Sequence, residues 1–135
     1  MKDVNEGVIS EFRANDGKLS GPMEGASILL LTTTGRTSGN PHTTPVGFID
    51  AGGRLAVAAA NGGSDQHPDW FRNIEQSSQV TIEVSGASIR SVAAIAEGGE
   101  RDKLLQRLAE ALPGMADHLS STDREIPVVV FNEAD

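Results

Sequence analysis

The sequence contains no cysteine and no long apolar run. Without cysteine, the chain has no disulfide, no thiol nucleophile and no thiolate metal ligand, which fits a reducing compartment. No apolar segment approaches the roughly 18–20 residues of a membrane-spanning helix, and residues 1–10 lack the apolar core of a signal peptide. We therefore expect a cytoplasmic protein without an integral membrane segment.

Motifs for several kinds of catalysis are also missing. There is no HExxH motif, and the three histidines, His42, His67 and His118, are far apart in the sequence, so we predict no metal site. The chain has no Walker loop, no Gly-x-Gly-x-x-Gly fingerprint and no Gly-x-Ser-x-Gly elbow, so a serine hydrolase has no visible nucleophile. It also has no tyrosine.

Positive charge is scarce, because 19 acidic residues outnumber 11 lysines and arginines and give a net charge of -8. A field of this sign repels nucleic acid, so we expect no nucleic-acid partner. The centre of the chain is different, since Arg36, His42, Arg54, His67 and Arg72 all lie there. An anionic small molecule can therefore still bind centrally.

The 135 residues suit one compact domain, and we predict a single domain over residues 1–135. Helical spacing of apolar residues predicts helices near Val4–Phe12, His67–Ile74 and Glu100–Leu112. Strands grouped in hairpins indicate an α+β fold, a small antiparallel β-barrel of about six strands flanked by short helices. The predicted strands are Ile28–Thr34, Thr43–Ile49, Arg54–Ala60, Val80–Ser85, Ile89–Ala96 and Ile126–Phe131.

Three features suggest a ligand, and each has a structural alternative. The loop Gly35–Pro41 can cradle a phosphate or carboxylate with one guanidinium, two hydroxyls and its backbone N–H groups, or it can be an ordinary hairpin loop. The small side chains of Arg54–Ala60 let a flat ligand approach, or simply make the sheet thin. Trp70 is a core residue or a wall for a planar ring, and the core role has more support. With no visible nucleophile, this combination favours redox chemistry by a bound cofactor.

Three ordered segments resemble the deazaflavin (F420)-dependent nitroreductase family of split β-barrel flavin/deazaflavin oxidoreductases. They are LLLTTTGRTSGNPHTTPVGF (29–48), AVAAANGGSDQHPDWFRNI (56–74) and TDREIPVVVF (122–131). The resemblance implies a split β-barrel that binds coenzyme F420, with FMN as the second choice of cofactor. It also implies the following cofactor-binding residues: Arg36, Thr37 and Ser38 at the phosphate; His42, Thr43, Thr44, Pro45 and Val46 along the linker and ring; Ala58, Ala59, Ala60 and Asn61 facing the deazaflavin; and Asp69, Trp70, Phe71, Arg72 and Asn73 closing the site.

The substrate side departs from the family pattern. Where nitroreducing members have tyrosines, this chain has Leu112, Met115 and His118, which with Gly47 form the implied substrate wall. Thr37 replaces a lysine, His42 an arginine and Ala60 a serine. The phosphate site has therefore lost positive charge.

The function implied is hydride transfer from reduced F420 to an electron-poor small molecule, either a quinone, an activated alkene (enoate) or a nitro compound. No residue is assigned as catalytic. The alternatives are an FMN-binding reductase with the same barrel and a non-catalytic carrier of the cofactor. We expect a monomer or a homodimer.

Overall fold

The structure is a computed structural model that describes residues 2–15, 27–60, 66–112, 114–122 and 125–134. Helices pack against both faces of one antiparallel sheet in this part of the chain. The elements in chain order are α1 (Lys2–Ala14), β1 (Ile28–Thr34), β2 (Pro41–Gly47), β3 (Ile49–Asp50), β4 (Leu55–Ala58), α2 (Asp69–Gln76), β5 (Gln79–Val84), β6 (Ala87–Ile95), α3 (Gly98–Ala111), α4 (Met115–Ser120) and β7 (Val128–Glu133).

The sheet has the strand order β2-β1-β5-β6-β7-β4-β3, with every pair antiparallel. Its two edge strands, β2 and β3, are separated in sequence only by Phe48. In a flat sheet with strands about 4.8 Å apart, these edges would be roughly 29 Å from each other. One residue can span only about 7 Å, so the sheet must curl until its edges meet. The predicted antiparallel split β-barrel is confirmed.

Most predicted boundaries shift by one or two residues; β2 begins at Pro41 rather than Thr43, and β4 covers Leu55–Ala58 rather than Arg54–Ala60. Three further differences have a structural reason or change the strand or helix assignment. The strand expected to run to Ile49 is interrupted at Phe48, whose N–H bonds to Ser27 O at 3.0 Å, so there are seven strands instead of about six. The last strand begins at Val128 rather than Ile126, because Pro127 has no N–H for the sheet ladder. The helix expected from Glu100 begins at Gly98.

Two apolar clusters lie on opposite faces of the sheet. Inside the barrel, Leu29 and Leu31 of β1 pack with Trp70 and Phe71 of α2. On the outer face, Leu108 of α3 packs against alternate residues of β4 and β7. Both faces of β4 and β7 are therefore buried, and the small alanines of β4 let α3 lie close to the sheet.

Helix α1 covers the outer face of β1. Phe12, which is 2% exposed, packs against Leu30, which is fully buried. The next residue, Arg13, makes two bonds to Glu83 on β5, Nε to Oε1 at 3.0 Å and Nη2 to Oε2 at 2.8 Å. The hydrogen bonds to Glu83 raise the pKa of Arg13 above its ordinary value. Among the described helices, none has the length and apolar character needed to cross a membrane.

Candidate functional site

A cavity of about 560 Å³ opens beside the edge strand β2. Its walls come from α1, the end of β1, the loop that follows, β2 and α2. Nine of its twelve lining residues were predicted to bind the cofactor, and they come from two of the three resembling segments. The lining residues are Ile9, Thr33, Gly35, Arg36, Thr37, Ser38, His42, Thr43, Thr44, Asp69, Trp70 and Asn73.

The loop between β1 and β2, residues 35–40, is closed by its own hydrogen bonds. Gly35 N–H donates to Asn40 O at 2.8 Å, and Gly39 N–H donates back to Gly35 O at 2.9 Å. Gly39 has φ of 75°, a conformation that glycine adopts without strain. The main-chain N–H groups of Thr37 and Ser38 have no acceptor among the described residues. They remain able to donate to a ligand.

Arg36 ties this loop to α2. Its Nη1 donates to Asn73 Oδ1 at 2.9 Å, and its Nη2 lies 3.2 Å from Asp69 Oδ1. Its main-chain N–H also donates to Asn73 Oδ1, at 3.2 Å. The Arg36 guanidinium therefore faces α2 with an acidic partner, and this partner offsets part of the positive charge that the cavity would otherwise carry.

Packing between Gly35 and His42 fixes the mouth of the cavity. A Cβ on Gly35 would lie 2.7 Å from both His42 Nε2 and Ser38 Oγ, closer than any real Cβ contact. Only glycine therefore lets the His42 ring and the Ser38 hydroxyl approach the backbone together. This close approach puts an imidazole and a hydroxyl together at the backbone of Gly35, in the cavity that Thr37 also lines.

Trp70 has the core role considered from the sequence and also lies at the cavity, whereas its role as a wall for a planar ring stays a prediction. It is 9% exposed, belongs to the barrel core and contacts Phe71 edge to face, with ring centroids 6.3 Å apart. It also lines the cavity. Burial is the larger part of its environment, as the sequence suggested.

Other predicted cofactor residues lie away from this cavity's walls. Ala58, Ala59 and Ala60 are 5%, 0% and 4% exposed, because both clusters cover this strand. Pro45 and Val46 continue β2 beyond the cavity, Phe71 is buried in the barrel, and Arg72 is exposed on α2. Asn61 lies outside the described residues.

The predicted substrate wall starts where β2 ends. A Cβ on Gly47 would lie 3.1 Å from Leu112 Cδ1, so this pair is in contact. Leu112 and Met115 pack against the outer apolar cluster, and His118 is half-buried on α4. None of the four lines the cavity beside β2.

Three lining residues were not among the predicted cofactor-binding residues: Gly35 belonged to the predicted loop, whereas Ile9 and Thr33 were missed. Thr33 is one of the three threonines that end β1 after four apolar residues, and this change to polar side chains was the available signal. Ile9 had none, because its place depends on how α1 packs. In the described part of the chain, no three His, Asp or Glu side chains are grouped to hold a metal ion.

Residues 7–133 match the family described as F420H(2)-dependent quinone reductase. The chain belongs to this family. An F420H(2)-dependent quinone reductase of Mycobacterium tuberculosis H37Rv is 29% identical over 124 residues, covering 89% of this chain and 83% of the relative.

Solved structures agree with this membership. A structure titled F420-H2 dependent reductase (FDR-A) is 32% identical with a TM-score of 0.72, covering 78% of this chain and 94% of its own. Another, described as a domain-swapped dimer, is 28% identical with a TM-score of 0.73, covering 97% and 98%. The F420-dependent oxidoreductase of split-barrel fold predicted from the sequence is confirmed.

Proposed function

We propose that this chain is a reductase that transfers a hydride from reduced F420 to a quinone. Family membership over residues 7–133 supports the cofactor and the reductase activity. Of the acceptors considered from the sequence, quinones are the class that the family description names. Activated alkenes and nitro compounds are secondary acceptors in this proposal.

The single observation that supports this location for the site is that residues from β1, β2, α2 and the loop 35–40 line one cavity. Its donor set fits the anionic part of a cofactor. It offers two unpartnered N–H groups, the hydroxyls of Thr37, Ser38 and Thr44, and the His42 ring. Hydroxyls and oriented N–H groups bind phosphate oxygens well.

From this anchor, the rest of the cofactor would follow β2 towards Gly47. Strand β2 is a sheet edge, so one side of its backbone is not used by another described strand. Gly47 presents no side chain, and Leu112 closes that end, since its Cδ1 would lie 3.1 Å from a Cβ placed on Gly47. We assign Gly47, Leu112, Met115 and His118 to the acceptor side on this argument.

When bound, reduced F420 supplies the hydride. The chain's contribution is to hold the donor against the acceptor and to keep water away from one side of it. Trp70 provides a rigid apolar wall for this purpose, because it is fixed in the barrel core. We assign no protein group as the proton donor; His118 is the titratable residue of the acceptor side, and solvent is the alternative.

An anaerobic assay tests the proposal. Purified protein is mixed with chemically reduced F420 and menadione, and reappearance of the oxidised cofactor's absorbance is followed. Turnover well above the protein-free rate is expected. Tight F420 binding without turnover would indicate a carrier, and tighter binding of FMN than of F420 would indicate a flavin reductase.

Four further expectations belong to this proposal. We propose that residues 1–135 act as one domain, since α1 contributes Ile9 to the cavity and β7 lies within the same sheet. A homodimer is favoured over a monomer by the domain-swapped neighbour, and light scattering in solution would decide between them. A cytoplasmic location and the lack of a nucleic-acid partner stay predictions.

A further inference from the structure

Arg36 is fastened at both ends to one side chain of α2. Its main-chain N–H and its Nη1 both donate to Asn73 Oδ1, at 3.2 Å and 2.9 Å. A third bond joins Nη2 to Asp69 Oδ1 at 3.2 Å. The main-chain N–H, Nη1 and Nη2 of Arg36 therefore already donate to side chains of α2 before any ligand binds.

Asn73 is the fixed point of this arrangement. It is 4% exposed, and its Nδ2 donates to Thr33 Oγ1 at 3.0 Å, where Thr33 is 2% exposed. Arg36 can only donate, so the Asn73 oxygen must face it and the NH₂ group is left for Thr33. Buried polar groups of this kind are costly to leave unpaired. Asn73 is thus held in one orientation between β1 and the loop 35–40.

The charge distribution argues against Arg36 as the main anion ligand. Asp69 carries a carboxylate next to the guanidinium, and Thr37 contributes no charge. The main-chain N–H groups of Thr37 and Ser38, by contrast, have no acceptor among the described residues and remain for a ligand.

We propose that Thr33, Asn73 and Arg36 form a latch that sets the shape of the loop 35–40, and that the loop's own N–H and hydroxyl groups hold the cofactor's anion. Arg36 and Asn73 are then positioning residues. The identity of the anion rests on the proposed function, whereas the latch is a property of the ligand-free protein.

The first experiment uses the protein without cofactor. Amide hydrogen exchange of residues 35–40 is measured by NMR in the wild type, Thr33→Val and Asn73→Leu. Thr81→Val is the matched control, because Thr81 is a half-buried threonine of β5 outside the cavity. The latch predicts exchange at the Arg36 amide faster by roughly three- to tenfold in the first two variants. No change in either would overturn it, and the milder Thr33→Val decides if Asn73→Leu does not fold.

The second experiment measures the Kd for F420 in Arg36→Ala, Arg36→Lys, Asn73→Leu and the Arg36→Ala/Asn73→Leu double variant. Arg90→Ala, which removes an exposed positive charge on β6, controls for net charge. A latch predicts that each single variant weakens binding about tenfold, that Lys does not rescue, and that the double variant is little worse than either single one.

A direct charge contact predicts the opposite pattern, and finding it would overturn the proposal. Lysine would then restore most of the affinity, and the effects of Arg36→Ala and Asn73→Leu would multiply. If the wild type does not bind F420 at all, the proposed function fails, while the exchange experiment still decides the latch.

Discussion

Single residues in the loop 35–40 matter through close approach as much as through charge. Gly35 permits the contact of its backbone with His42 and Ser38, and Asn73 of α2 bonds to both a strand and a loop with one side-chain amide. Both residues lie in segments that resemble the family, so the sequence pointed to them. It could not predict their physical roles, because the Asn73–Thr33 bond, for example, joins residues 40 positions apart.

We expect Gly35→Ala to weaken F420 binding about tenfold and to lower the unfolding free energy by about 1 kcal/mol, because the new Cβ must displace His42 and Ser38. Gly7→Ala is the control, since a Cβ there meets nothing within 4 Å. In α1 that change should stabilise the protein by roughly 0.5–1 kcal/mol. Urea unfolding and a binding titration measure both. Equal behaviour of the two variants would contradict the packing argument.

Leu112→Ala tests the acceptor side. Removing the side chain that contacts Gly47 should raise the KM for menadione several-fold and leave the Kd for F420 unchanged, because Leu112 lies outside the cavity beside β2. Leu105→Ala, which truncates another leucine packed on the outer cluster, should leave both constants unchanged. A change in the Kd for F420 alone would contradict this assignment and show that Leu112 contributes to cofactor binding instead.

At the scale of elements, sequence periodicity predicted the helices and most strands but not the way they meet. The β5–β6 hairpin was clear from strict alternation and Gly86. The break at Phe48 could not be predicted from the sequence, because it depends on the tertiary arrangement in which β2 and β3 lie at opposite edges of the sheet. Similarly, the alanines of β4 looked open to a ligand, but α3, placed by tertiary packing, covers them.

Helix α1 is held by packing and by the Arg13–Glu83 pair. We expect Glu83→Gln to reduce the unfolding free energy by about 0.5–1 kcal/mol, since Arg13 is half-exposed and solvent screens the pair. Added salt should shrink this difference, and Glu133→Gln on β7 should have no effect. Because the pKa of Arg13 is raised, deprotonation of Arg13 removes its contribution only as the pH rises above the ordinary arginine pKa. Denaturant titrations at two salt concentrations measure these differences.

At the scale of the whole molecule, the two apolar clusters share β4 and β7. Neighbouring residues of these strands point into different clusters. If one cluster unfolded and β4 and β7 came apart, the other cluster would lose the same strands, so we expect the two to unfold together. The resemblance predicted one barrel from the sequence. It could not predict this coupling, which depends on α3 and α2 covering opposite faces.

Leu108→Ala should therefore destabilise the entire fold. Leu108 is fully buried in the outer cluster, and its truncation should cost about 2–5 kcal/mol. The loss should appear equally in far-UV circular dichroism and in the fluorescence of Trp70, the single tryptophan, which lies in the inner cluster. Non-coincident transitions would show that the two clusters unfold separately.

The edge strand β2 contains two prolines, Pro41 and Pro45, four residues apart, so their backbone nitrogens point the same way. A proline cannot donate a hydrogen bond to an incoming strand, and prolines at a sheet edge discourage intermolecular pairing. The strand that leaves its backbone open for a ligand is thus also the strand where a second chain would most easily add. We expect Pro45→Thr to fold as well as the wild type but to form β-rich aggregates sooner on storage at high concentration. In this barrel, resistance to aggregation and access for a ligand therefore depend on the same backbone groups at the free edge of β2.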